Sequence, residues 1–152
     1  MSNEVTSWSA NKYRAAAKKH YEVCCYLLKS KADKASPRGA IISDLYYLGG
    51  YVVECTLKYI YLVNIGPANK EYSKSELQRF NLWRHELPCL YEEAKDKADN
   101  IGFSWISLKK QIKDWSEQMR YNEPIQRNEY KSITDNFWTD VETIYNSMRD
   151  NY

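Results

Sequence analysis

Two histidines, His20 and His85, are the only imidazoles in this chain, and Cys24, Cys25, Cys55 and Cys89 are its only thiols. No Cys-x-x-Cys and no His-Glu-x-x-His occurs, so these six residues do not assemble a metal site by spacing, and neither metal nor cofactor is expected. A Gly-rich phosphate loop is also missing, because Gly49-Gly50 falls inside an apolar helical pattern. The most informative ionisable pair is Glu54 and Lys58. They stand at i, i+4 with Glu first, the favoured order for an ion pair on a helix. An unpaired carboxylate in such an apolar stretch is costly, so Glu54 is expected to meet Lys58, Arg120 or a tyrosine hydroxyl. Arg120, Tyr121 and Arg127 add two cations and a ring, the residue types that hold phosphates and stack on bases.

These groups need helices to position them. In residues 41–63 one face reads Ile41, Leu45, Leu48, Val52, Cys55, Tyr59, Leu62, and a neighbouring face reads Tyr46, Gly49, Val53, Leu57, Ile60. Alternating steps of three and four are the period of a helix, and two adjacent apolar stripes predict one buried on more than one side. Gly49 and Gly50 each cost about 1 kcal/mol relative to Ala at mid-helix. Close approach of another helix, or of a partner, to the bare backbone is the expected compensation.

The same periodicity predicts a first helix from about Trp8 to Ala35, with Tyr13, Ala17, His20, Cys24 and Leu27 inward. Ser36-Pro37-Arg38-Gly39 breaks it. Residues 66–84 read as a long polar connection, functional or mobile, with a capping box at Ser73 and Glu76. A third helix takes Leu87, Leu90, Ala94 and Ala98 inward. A fourth takes Trp105, Leu108, Ile112, Trp115 and Met119, ending at Arg120-Tyr121-Asn122-Glu123-Pro124. A last helix, from about Asn128 to Arg149, takes Tyr130, Ile133, Phe137, Val141, Ile144 and Met148. No period-two segment appears. The expected fold is all-α, an up-and-down bundle of four to five main helices in one domain over residues 1–152.

The run Tyr46-Tyr47-Leu48-Gly49-Gly50-Tyr51-Val52-Val53-Glu54-Cys55-Thr56-Leu57-Lys58 resembles the signature helix of the HEPN family, small helical domains of prokaryotic defence and toxin–antitoxin systems. His85-Glu86-Leu87-Pro88-Cys89-Leu90 resembles that family's His-acidic-Leu start of its third helix. Trp115 through Arg120-Tyr121 resembles the Arg-Tyr that ends a later one. The three pieces keep their order between residues 41 and 121. The resemblance implies a HEPN-like bundle, a homodimer, RNA or nucleotide as ligand, and a small nucleotidyltransferase as partner protein.

Many members of that family are metal-independent ribonucleases that use an Arg, four to six residues, then His, late in the chain. His serves as general acid or base, and Arg neutralises charge building on the phosphate. Here both histidines match the spacing, Arg14 before His20 and Arg79 before His85, but neither is late. Arg127-Asn128 resembles the start of the motif, yet Ser132 stands where a four-residue spacing puts His, and no His follows Arg120. His20 reads as a hydrogen-bonded core histidine. His85 reads as a helix cap or a partner to a neighbour, and is the weak catalytic candidate. The reading that follows is a binding component lacking the standard nuclease motif, with Glu54, Lys58, Arg120, Tyr121 and Arg127 as binding residues. An active ribonuclease toxin is the first alternative, and a protein-interaction bundle without a nucleic-acid role is the second.

The chain has 152 residues, enough for a real core. Its 14 Tyr and 5 Trp suit cores, interfaces and grooves alike. Net charge is +2, which does not itself imply nucleic acid, but residues 1–40 carry eight basic residues against three acids. The best candidate for a membrane span, 45–63, contains Glu54 and Lys58, and the N-terminus has neither a basic start nor an apolar core. A cytoplasmic protein with reduced cysteines is expected.

Overall fold

The computed structural model describes residues 4–30, 38–98, 101, 103, 105–112, 115–121 and 127–151, with the side chains of Arg120, Tyr121 and Asn151 excepted. The chain is all-α. Its helices are α1 (Ala10–Ser30), α2 (Arg38–Val63), α3 (Lys74–Arg79), α4 (Leu87–Lys97), α5 (Trp105–Gln111) and α6 (Trp138–Asn151). Among the described residues there is no strand, only an isolated antiparallel bridge between Trp8 and Tyr72. No described helix is long and apolar enough to cross a membrane.

Helix α2 is the axis of the molecule. Every residue from Val52 to Leu62 is buried, because α1, α4 and α6 all pack on it. Helix α1 runs antiparallel to it: Tyr13 meets Lys58, and further along α1 His20 meets Tyr51. Helix α4 runs in the same direction as α2, with His85 beside Glu54 at its start and Lys97 over the Tyr61 ring at its end. The up-and-down alternation is therefore interrupted once, by the connection that precedes α4.

That connection is packed against the bundle. Trp8 and Tyr72 exchange backbone hydrogen bonds of 2.9 and 2.7 Å, and the Asn11 amide donates to the Ala68 carbonyl at 3.0 Å. Tyr72, Leu77 and Leu82 are buried, so apolar side chains spaced through a polar segment hold it against the bundle. The Ser73–Glu76 capping box forms as expected and starts α3.

The glycine pair faces inward. A Cβ at Gly50 would lie 1.9 Å from the Trp115 ring, and one at Gly49 would lie 2.7 Å from Phe137. Both close approaches are made within the chain, so the pair gives no reason of its own to invoke a second copy.

Two expected helices differ in form. The fourth does not run on to Met119. It ends at Gln111, whose carbonyl accepts a 2.5 Å hydrogen bond from the Tyr46 hydroxyl, and Glu117–Tyr121 forms a separate 3-10 turn. Trp115 stays buried and its indole N–H donates to the Tyr47 carbonyl at 3.1 Å. The last helix is graded: a 3-10 turn at Arg127–Glu129, a π-helical stretch at Ser132–Phe137, then α6. The Thr134 and Thr139 hydroxyls take up the carbonyls of Tyr130 and Asp135 around that stretch. Ile133, Phe137, Val141, Ile144 and Met148 are buried as their spacing predicts. The first helix is described only to Ser30, so its expected end near Ala35 and the Ser36-Pro37 break lie outside the described residues, as do Asn122 to Pro124. All four cysteines are free.

Candidate functional site

The groups with chemistry meet on one side of α2. Glu54 and Lys58 project from successive turns and are both almost fully enclosed, at 4% exposure each. The Lys58 Nζ lies 3.5 Å from Glu54 Oε2 and 5.5 Å from the centroid of the Tyr13 ring. The expected i, i+4 pair therefore forms. A buried ion pair needs further hydrogen bonds to offset desolvation. The second carboxylate oxygen finds one: His85 Nδ1 stands 2.7 Å from Glu54 Oε1.

His85 reaches Glu54 because the chain turns into α4 just beyond it. Glu86 is the residue before the helix and makes no side-chain cap, and Pro88 occupies the first turn. His85 thus bonds a neighbour and does not cap the helix. Its side chain remains 44% exposed. With Nδ1 turned inward to the carboxylate, Nε2 is the nitrogen left for a ligand. The hydrogen bond that His85 donates to Glu54 raises the His85 pKa above its ordinary value, against the opposing effect of burial.

Aromatic rings frame this imidazole. Tyr51 packs edge-on to His85 at 6.5 Å and to Trp115 at 5.4 Å. Tyr47 donates its hydroxyl to Tyr51 at 3.3 Å. Burial, then the Tyr47 bond, pushes the Tyr51 phenol above its ordinary range, so it stays protonated. Burial pushes the neighbouring Cys55 thiol up to about 12, which leaves it unreactive. Glu117 belongs to the 3-10 turn that packs on α2, and its charge reaches both His85 and Tyr51.

Of the sequence-selected residues, Glu54, Lys58 and His85 come together. Arg120 and Tyr121 share the Glu117–Tyr121 turn, but their side chains lie outside the described residues. Arg127 is exposed on its own turn, and no hydrogen bond or ion pair among the described residues joins it to the cluster. The Arg-His spacings do not make pairs: Arg79 is turned to Glu76 at 4.0 Å, and Arg14 lies over the Tyr59 ring at 5.9 Å. His20 is half-buried against Tyr51, and burial lowers its pKa. Tyr13 and Tyr47 enter the sequence reading only as parts of helical patterns, and Glu117 does not enter it. Tyr47 reaches Tyr51 at i, i+4 within α2, but Tyr13 and Glu117 join the cluster across helices, which periodicity does not carry. Among the described residues no group of three or more His, Cys, Asp or Glu could hold a metal ion.

The arrangement is a carboxylate-oriented imidazole beside phenols. Protonated, it presents a cation and a donor to an anionic ligand; neutral, it can accept a proton. An NMR titration of His85 is expected to give a pKa above 6.5 in the native protein, and a lower one in Glu54→Gln, where the Glu54 charge no longer offsets burial. A raised pKa in the folded state adds stability below the unfolded value, lost as pH rises through the folded one. The stability difference between native protein and His85→Gln should accordingly shrink as pH rises above about 6.5. An unchanged His85 pKa in Glu54→Gln would sink this account. Comparison of the chain with family models, with curated proteins and with solved structures returns no match.

Proposed function

We propose that this chain is a HEPN-like domain that binds RNA or nucleotide, as a component of a prokaryotic defence or toxin–antitoxin system. In this reading it acts in the cytoplasm as a homodimer, has a small nucleotidyltransferase as partner protein, and lacks the family's standard nuclease motif. The ordered motif pieces between residues 41 and 121 support the family. The observation that carries the binding role is the half-exposed His85 held by buried Glu54 beside Tyr47 and Tyr51. A cationic imidazole offers a phosphate contact, and neighbouring rings offer a surface for bases.

Weak cleavage belongs to the same reading. No His follows Arg120, and general acid–base help is typically worth about 10²–10⁴-fold in rate. The carboxylate behind His85 nevertheless favours one second reading, an active ribonuclease in which His85 moves the proton.

Incubating the purified protein with labelled single-stranded RNA, without divalent metal, separates these. The expected result is weak binding that falls with added salt, because phosphate contacts release counterions, and little cleavage. Strong metal-independent cleavage, abolished by His85→Ala, would install the ribonuclease reading. No binding at low salt would leave a protein-interaction bundle.

A further inference from the structure

A second basic surface lies away from His85. Helices α1 and α6 enclose an open groove of about 480 Å³. Its floor is the buried pair Tyr145 and Met148. Asn11, Arg14 and Lys18 line one wall at steps of three and four, a single face of α1, and Arg149 lines the other from α6. Three exposed cations thus converge on one concave site. Two of the eight basic residues of the first forty, Arg14 and Lys18, line this groove.

The carboxylates nearby do not close the groove. Glu22 stands 3.8 Å from Lys18, and Asp150 stands 3.1 Å from Arg149, all four side chains more than half exposed. Such surface pairs are weak and exchange readily for a better anion. Glu142 is engaged by the Tyr21 hydroxyl. Tyr145 is held rigid by stacking on Tyr21, with ring centroids 3.9 Å apart and planes 10° apart, and Tyr21 in turn stacks on Trp138. Burial keeps the Tyr145 phenol protonated, and the charges of both Arg14 and Arg149 reach it. Two guanidiniums around a fixed phenol suit the tetrahedral oxygens of a phosphate, which arginine binds in a forked geometry.

We propose that the α1–α6 groove is a phosphate-binding site for a nucleotide, free or within single-stranded RNA, with Arg14, Lys18 and Arg149 as its cations. The ligand class rests on the function proposed above, whereas the site is separate from the His85 cluster.

The test compares the full chain, Arg14→Gln/Arg149→Gln and His85→Ala by fluorescence anisotropy with a short labelled oligouridylate, at low and moderate salt, with and without millimolar ATP. The double variant changes only exposed side chains, and its circular dichroism should match the native protein. It is expected to bind about tenfold more weakly, with the slope of log affinity against log salt reduced by about 0.7 per lost phosphate contact. Displacement by ATP would assign the groove to free nucleotide; resistance to ATP would assign it to RNA. Native-like affinity in the double variant, with weaker binding in His85→Ala, would overturn the groove and leave the broader function standing. Absence of binding by the native protein to either probe would overturn both.

Discussion

Gly50→Ala is expected to unseat Trp115 and to destabilise the fold. The new methyl carbon would lie 1.9 Å from ring atoms that are themselves buried. The Trp115 ring must move, and its indole N–H then leaves the Tyr47 carbonyl. Overpacking of this kind costs about 1–3 kcal/mol and an indole N–H left without its acceptor about 1–3 kcal/mol, against about 1 kcal/mol regained from helix propensity. The balance is a loss of about 1–5 kcal/mol, at about 2–4 °C in Tm per kcal/mol for a chain of this size. Gly49→Ala should cost less, because its new methyl carbon would stop 2.7 Å from the Phe137 ring, a shallower overlap. Urea unfolding of Gly50→Ala in native and Trp115→Leu backgrounds checks the mechanism. The penalty should largely vanish in the second, since the two positions are coupled. A Gly50→Ala protein as stable as native, or an equal penalty in both backgrounds, would refute the contact.

Glu54→Ala should be the most damaging single change in the site. It leaves the Lys58 ammonium buried at 4% exposure without its counter-charge, and breaking such a pair costs about 3–5 kcal/mol. The same principle predicts a contrasting double variant. Glu54→Leu/Lys58→Met removes both charges at similar volume and should be close to native in stability, while losing the His85 pKa shift. Denaturant midpoints give the first result and NMR titration the second. If the double variant unfolds as easily as Glu54→Ala, the damage comes from packing and the electrostatic account is wrong.

Part of this site is legible in the residues alone. The Glu54–Lys58 pair follows from i, i+4 spacing, and the buried faces of α2, α4 and α6 follow from steps of three and four. His85 as the third member does not, because it lies 31 residues from Glu54 and periodicity says nothing about which helices meet. The partners of Gly49 and Gly50 are hidden for the same reason: glycine marks a close approach without naming what approaches. The early end of α5 is hidden too. Trp115 and Met119 continue the apolar stripe, but the Tyr46 hydroxyl takes the Gln111 carbonyl and the chain leaves the α-helical path. A groove such as that between α1 and α6 takes its cations from both ends of the chain, so neither end shows it alone.

The central position of α2 also bears on how the chain is made. A helical protein usually folds fast because its contacts are local. Here the helix at the centre is synthesised early, and the side chains that cover its glycine pair, Trp115 and Phe137, are synthesised late. During translation α1 and α2 emerge with that face of α2 uncovered, and only the last segment closes it. Nascent chains stalled before Trp115 would therefore present an open apolar cleft, a natural target for chaperones and for premature association.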